Sequence, residues 1–197
     1  ALLSSVSHDL RTPLASILGS VTSLRQLGDR IPKADQAELL ATIEEEATRL
    51  AQFVTNLLDM TRLDAGALDI RRDWIDVADI IRGAVNRSRK LMPARKIELT
   101  LADGLPLIRG DATLLEQVML NLIDNADKYS PEASVTAISA AVQNSGVTIR
   151  VSDDGGGIPP NSLERIFDKF YRVGGSDGRK PGTGLGLAIA AGVIRAM

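Results

Sequence analysis

Ser7-His8-Asp9-Leu10-Arg11-Thr12-Pro13 lies near the start of a long amphipathic pattern and holds the only histidine of the chain. A lone histidine is ordinarily a solvated or core residue, but these neighbours suit one that does chemistry. An acid follows directly, and Thr12 stands four residues on, so imidazole and hydroxyl share one helix face. Pro13 cannot donate to the carbonyl of Asp9 and its ring crowds that carbonyl, which centres any kink on the histidine. Around this stretch Leu3, Val6, Leu10, Leu14, Ile17, Val21 and Leu24 advance by three or four residues, a seam like that of a coiled coil, and His8 falls off it.

Gly28 to Pro32 reads as a helix stop and loop, and a second helix is expected from Ala34 to Asp64. Its stripe is Leu40, Ile43, Ala47, Leu50, Val54 and Leu57, widened by Leu39, Phe53 and Leu58. Such a hairpin cannot bury so wide an apolar face alone, so a dimeric four-helix bundle is expected; a monomeric hairpin packed on a second domain is the alternative. Gly66 marks the boundary between a domain at 1–66 and one at 67–197.

Beyond it the period changes. Leu68 to Ile75 alternates like a strand, and Asp76 caps a helix reaching Met92. Arg87, Arg89 and Lys90 at its end read as a solvated face that offsets the helix dipole. Strands are expected at Lys96 to Leu101 and Leu107 to Arg109, then a helix capped by Asp111 and ending near Tyr129. An antiparallel pair, Val135 to Val142 and Val147 to Ser152, follows. After it come a short helix at Pro160 to Arg165, a glycine-rich loop and a last helix from Gly184. The mixture predicts an α/β sandwich, one helical layer on one mixed sheet.

With 44% hydrophobic residues in 197, the chain can bury real cores, built from Leu, Ile, Val and Ala because only six residues are aromatic. A net charge of −2 and the lack of a basic tail argue against a nucleic-acid partner. No cysteine is present, so thiolate metal sites and disulfides are excluded. No apolar run approaches the ~18 residues of a membrane span. The chain reads as soluble and as a fragment that starts within one helix and stops within another.

Four further stretches carry chemistry. In Asn121-Leu-Ile-Asp-Asn125-Ala-Asp-Lys128-Tyr129-Ser130, Asn121, Asn125 and Lys128 fall within an arc of roughly 60°. Leu115, Val118, Met119, Leu122 and Ala126 line the adjoining flank. A carboxamide oxygen is a fit ligand for Mg2+, and a lysine can meet phosphate as a point charge. Asp153-Asp154-Gly155-Gly156-Gly157-Ile158 follows a strand, where glycines admit a ligand close to the backbone and a carboxylate can accept from an exocyclic amine. Phe167 to Arg172 would alone be an ordinary amphipathic turn. Gly182-Thr183-Gly184-Leu185-Gly186-Leu187 opens a helix whose N-terminal amides suit phosphate. Neither glycine cluster has Walker or dinucleotide spacing.

In this order the five motifs resemble the H, N, G1, F and G2 boxes of sensor histidine kinases of two-component systems, over nearly the whole chain. The ATP-binding part is similar to the wider gyrase, heat-shock-protein and mismatch-repair ATPase fold. The resemblance implies that His8 accepts a phosphoryl group from ATP, that Asp9 acts as base or orienter, and that Thr12 orients water when a phospho-regulator is dephosphorylated. It implies that Asn125 coordinates Mg2+ and that Asn121, Lys128, Tyr129 and Arg172 line the phosphates. Asp153 would bind the adenine amine, with Gly155 and Gly157 shaping the base pocket. Thr183, Gly184 and Gly186 would close around the triphosphate. A lid from Val173 to Thr183 would carry Arg179 or Lys180 toward the nucleotide.

The implied partners are a response regulator receiver domain and a second copy, joined through the hairpin. The implied location is cytoplasmic, with inner-membrane anchoring through segments upstream. Asn56-Leu-Leu-Asp-Met-Thr-Arg followed by Arg71-Arg-Asp-Trp74 is similar to the KdpD family of potassium and turgor sensors. Two rivals remain. An ATP-hydrolysing member of the fold would carry Glu where Asn121 stands, and Asn cannot take a proton from water. A non-catalytic dimerisation or pseudokinase scaffold predicts loss of His8, Asn125 or Asp153, and all three are present. The helix after the G2 stretch ends the chain where the family adds further segments, so a C-terminally truncated ATP domain of reduced stability is expected.

Overall fold

A computed structural model describes residues 2–144, 146–173 and 182–197, without the side chains of residues 2–6, 8, 9 and 29. The chain divides into two compact units, Ala1–Thr61 and Arg62–Met197.

The first unit is helical. Helix α1 spans Leu2–Leu27 and runs through Pro13. A 3-10 turn at Gly28–Arg30 leads to α2, Lys33–Asp64. Gln36 ties the turn to α2, its Nε2 donating to the carbonyls of Gly28 (3.1 Å) and Ile31 (3.0 Å). Phe53 and Met60 are buried, whereas Leu14, Leu18 and Val21 on α1 and Leu40, Val54 and Leu58 on α2 stay exposed. Helix α2 ends in a Schellman closure: Ala67 N–H bonds Arg62 O at 2.9 Å and Gly66 N–H bonds Leu63 O at 3.1 Å. The left-handed φ of 61° at Gly66 permits this closure.

The second unit contains β1 (Asp73–Ile75), α3 (Val77–Leu91), β2 (Lys96–Leu101) and β3 (Ile108–Gly110), followed by α4 (Ala112–Tyr129), β4 (Val135–Gln143), β5 (Gly146–Ser152) and α5 (Gly186–Ala196). Both long helices begin on the expected aspartates. Asp76 accepts from Ala78 N and Asp79 N. Asp111 accepts from Thr113 N and Leu114 N, and its second oxygen accepts from Arg71 N at 3.0 Å. The core lies between α3, α4 and the sheet, where Val77, Ile81, Met119, Ile123 and Ile138 are at most 1% exposed. Ala188, Ile189, Ala190 and Val193 bury one face of α5, which packs on α4.

The structure differs from the sequence reading in five places. The strands form two sheets, not one: a β1–β3 ribbon and a mixed sheet in the order β2-β4-β5, with β2 parallel and β5 antiparallel to β4. The strand expected from Leu68 shrinks to three residues. Residues 68–72 alternate, but Arg71 gives its N–H to the Asp111 side chain and its carbonyl to Asp73 N, so no strand partner remains. The short helix at Pro160 is a single 3-10 turn, Pro160–Ser162, and α5 starts at Gly186, two residues later than expected. On α4 the buried flank includes Ile123 at 0% exposure, with Leu122 only half-buried.

Candidate nucleotide site

Helix α4 is the spine of the site. Its buried flank, Leu115, Val118, Met119, Ile123 and Ala126, fixes the rotation that presents Asn121, Asn125 and Lys128 on the neighbouring arc. Asn121 and Asn125 are half-buried. The Nδ2 of Asn121 is buried with no hydrogen-bond partner, a donor that a phosphate oxygen or its bound water would satisfy. Lys128 Nζ donates to Asp124 Oδ2 at 2.6 Å, one turn back on the same helix. An exposed pair of this kind is worth little, so Lys128 can exchange Asp124 for phosphate at small cost.

Two remote stretches close on this helix, and a third packs on one of them. At the end of β5, Asp153 Oδ1 accepts from its own loop, Gly155 N at 2.8 Å, and from Ser130 Oγ at 3.1 Å, just past the end of α4. Both contacts fall on one oxygen, Oδ1, which orients the carboxylate. A Cβ on Gly155 would stand 2.5 Å from Asp153 Oδ1 and 2.9 Å from the Tyr129 carbonyl oxygen, so this loop is pressed onto the end of α4. Gly157 follows in the same loop.

The Phe167 to Arg172 turn is held by Tyr171, whose hydroxyl lies 2.9 Å from Ser162 Oγ and whose ring lies beneath the Arg165 guanidinium at 4.3 Å. Phe170 N–H donates to Gly184 O at 3.0 Å, with Phe170 itself at a φ of 61°. A Cβ on Gly184 would meet Phe170 C and Tyr171 O at 2.8 Å, so the F and G2 stretches touch backbone to backbone. Arg172 is half-buried beside them.

The remaining stretch brings the N-terminus of α5 to α4. A Cβ on Gly186 would stand 4.0 Å from the Asn121 carboxamide carbon, and one on Gly182 would stand 3.8 Å from the Tyr129 hydroxyl. Thr183 Oγ1 accepts from Leu185 N at 3.3 Å, and Leu185, fully buried, anchors the helix start. No side chain caps α5, so its first amides have no acceptor within the helix.

Asn121, Asn125, Lys128, Tyr129, Asp153, Gly155, Gly157, Arg172, Thr183, Gly184 and Gly186 all lie in the second unit, on these four stretches. His8, Asp9 and Thr12 lie on α1 in the first unit. Thr12 is exposed, and the side chains of His8 and Asp9 lie outside the described residues. So do residues 174–181, which include Arg179 and Lys180 of the expected lid. Among the described residues no group of three His, Cys, Asp or Glu side chains could hold a metal ion. A cation at Asn125 would therefore take its remaining ligands from phosphate and water, as Mg2+ characteristically does. The amide donors, oriented carboxylate and uncapped helix start fit a nucleotide polyphosphate with such an ion.

Sequence reasoning missed two residues. Ser130 ends the asparagine motif with no role that the motif itself implies, yet it orients Asp153. Arg95, 4% exposed in its side chain, closes the end of α4 by donating to Asp127 Oδ1 (2.7 Å), Asp127 O (2.8 Å), Pro131 O (2.8 Å) and Ser134 Oγ (2.7 Å). Nothing local marks Arg95, because its partners lie more than thirty residues away.

Two family models match parts of the chain. Residues 1–66 match the His Kinase A (phospho-acceptor) domain, and residues 110–197 match the histidine kinase-, DNA gyrase B- and HSP90-like ATPase. Sensor protein KdpD of Clostridium acetobutylicum is 38% identical over 197 residues, covering 99% of this chain and 22% of the relative. Sensor protein KdpD of Mycobacterium tuberculosis is 40% identical over 205 residues, covering 100% and 23%. The chain thus spans about a fifth of the length of these relatives. Among solved structures, full-length ShkA in complex with AMPPNP superposes with a TM-score of 0.67 at 28% identity, over 99% of this chain and 40% of that one. Among the described residues no helix is long and apolar enough to cross a membrane.

Proposed function

The chain belongs to the histidine kinases, a phospho-acceptor domain followed by a histidine kinase-type ATPase domain, and from that premise we propose that it is a KdpD-like sensor-kinase core that autophosphorylates on His8 from ATP and passes the phosphoryl group to an aspartate of a response regulator. Residues 1–66 are the dimerisation and phosphotransfer domain and 67–197 the ATP-binding domain. The observation that carries the reading is the convergence on α4 of the Asp153 loop and the 182–186 stretch, around an orphaned Asn121 amide and an oriented Asp153.

Near neutral pH an unperturbed imidazole is largely uncharged and can attack without prior activation. Its nitrogen forms a bond to the γ-phosphorus as the bond to the bridging oxygen breaks, and ADP leaves with that electron pair. Asp9 orients the ring and takes its proton. Asn121, Lys128, Tyr129 and Arg172 hold the phosphates, Thr183, Gly184 and Gly186 close over them, and Asp153 accepts from the adenine amine above Gly155 and Gly157. Mg2+, held by Asn125, supplies neutralisation of the phosphate charge when bound. The partner is a receiver domain, and Thr12 orients water for dephosphorylating it. The hairpin pairs with a second copy through Leu14, Leu18, Val21, Leu40, Val54 and Leu58, which one chain leaves exposed. This reading places the core in the cytoplasm, with any membrane attachment made by other segments of a longer protein.

Incubation with γ-labelled ATP and Mg2+ tests the reading. The parent acquires acid-labile, alkali-stable label, His8→Ala acquires none, and Asn125→Ala loses at least about tenfold, as expected when a phosphate-bound cation is displaced. Label persisting in His8→Ala would overturn the phospho-acceptor assignment.

A further inference from the structure

From residue 153 to residue 173 the described chain holds one 3-10 turn, Pro160–Ser162, and no helix or strand. A segment of that length keeps a single course only where side chains tie it, because no backbone ladder does. Burial shows where the tie is made. Ser162 is 6% exposed, and no other described residue from 153 to 173 is buried. Its carbonyl accepts from Arg165 N at 2.9 Å and Ile166 N at 3.0 Å. Its Oγ accepts from the Tyr171 hydroxyl at 2.9 Å, nine residues on.

Tyr171 is thus gripped twice, at its hydroxyl by Ser162 and on its ring face by Arg165, whose guanidinium lies 4.3 Å from the ring centre. Phenylalanine at 171 would fill the same space and keep the Arg165 contact, so packing alone does not account for the hydroxyl. The residues on either side show what the grip holds. Phe170, directly before, has a φ of 61°, a left-handed backbone that a phenylalanine adopts only under constraint from its surroundings. Arg172, directly after, is half-buried, and the course of the two residues before it sets where its side chain departs.

Resting on the nucleotide reading above, in which Arg172 meets the phosphates, we propose that Tyr171 and Ser162 are positioning residues for that arginine. Their hydroxyl pair holds the strained turn at Phe170 in the one course that sends Arg172 to the phosphates. Both act through Arg172 and not on the nucleotide. Without the pair the turn relaxes toward an ordinary φ, Arg172 samples other directions, and part of its phosphate interaction is lost to re-ordering it on binding.

Rates of His8 labelling across ATP concentration, with dissociation constants for ADP, test this on the full chain and on Tyr171→Phe, Ser162→Ala and Arg172→Ala. Tyr171→Phe and Ser162→Ala are each expected to raise the half-saturating ATP concentration and the ADP dissociation constant about five- to tenfold, the range of one hydrogen bond. The maximal labelling rate stays within about twofold, since the binding that weakens is common to ground and transition states. The Tyr171→Phe/Ser162→Ala double variant loses no more than either single one, because the two hydroxyls form one tie. Adding Tyr171→Phe to Arg172→Ala changes ADP affinity by less than about twofold, because the residue through which Tyr171 acts is gone. Parental ADP affinity in Tyr171→Phe overturns the proposal. So does a full further loss when Tyr171→Phe is added to Arg172→Ala, which a general loosening of the fold would produce. If Arg172→Ala loses ADP while Tyr171→Phe does not, the nucleotide reading stands and only the role of the hydroxyl pair fails. A parent chain that binds no adenine nucleotide sinks the nucleotide reading and this proposal with it.

Discussion

Gly184 concentrates the physics of the site into one residue. Its φ of 68° lies in the left-handed region, and a Cβ there would press on the backbone of Phe170 and Tyr171 at 2.8 Å. Both the strain and the clash fall on main chain, which cannot rotate aside as a long side chain would. Gly184→Ala is therefore expected to break the Phe170 N–H to Gly184 O bond and part the F and G2 stretches. Adenine-nucleotide affinity should fall by more than about tenfold, while the α3–α4 core, which does not touch Gly184, keeps its far-UV signature. Titration calorimetry with ADP checks it, and an affinity within about twofold of the parent would mean that the two stretches are not coupled. At this scale the sequence was legible where the candidate residues are written contiguously: the His8 stretch, the carboxamides of α4 and the glycine runs stand out as motifs. It was illegible where one residue acts on another from far along the chain. Ser130 and Asp153 are separated by 23 positions and meet only because β5 ends beside the end of α4.

Capping and patterning made the elements readable, and competition for hydrogen bonds is where they failed. Asp76 and Asp111 each hold two amides of the helix that follows, which is why α3 and α4 begin where the cap residues stand. The strand expected from Leu68 is short because Asp111 also captures Arg71 N–H, a demand that no local period reveals. Arg95 shows the same dependence at the other end of α4. With four donor contacts and a buried side chain it fixes the last turn, which carries Lys128 and Tyr129. Arg95→Ala strands the Asp127 carboxylate and the Asp127 carbonyl oxygen, whereas Pro131 O keeps Ser134 N–H and Oγ. The expected cost is about 3 kcal/mol, the low end for a buried pair because Asp127 keeps some access to water. Urea unfolding followed by circular dichroism measures this, with a parallel fall in ADP affinity as the end of α4 loosens. A loss under about 1 kcal/mol would show that water replaces the guanidinium without penalty.

At the scale of the whole molecule, the division at Thr61 separates two kinds of burial. The second unit contains its own core of Val77, Ile81, Met119, Ile123 and Ile138, whereas the first leaves Leu18 at 68% exposure and Leu40 at 58%. An apolar stripe of this length on a two-helix unit calls for a second copy, since too few side chains remain to cover it from within. Both the period of the stripe and its excess over what two helices can bury were readable from sequence, whereas which of its side chains lie open, Leu18 and Leu40 foremost, was not. Leu18→Glu places a charge in the middle of that stripe, where pairing of two copies would bring two carboxylates into an apolar seam. Light scattering coupled to size exclusion should find the parent a dimer and the variant a monomer. ADP affinity should stay within about twofold, because the substitution lies outside the unit that holds the proposed nucleotide residues. A parent that is monomeric at micromolar concentration would overturn the bundle. A variant that remains dimeric would move the interface off this face of α1.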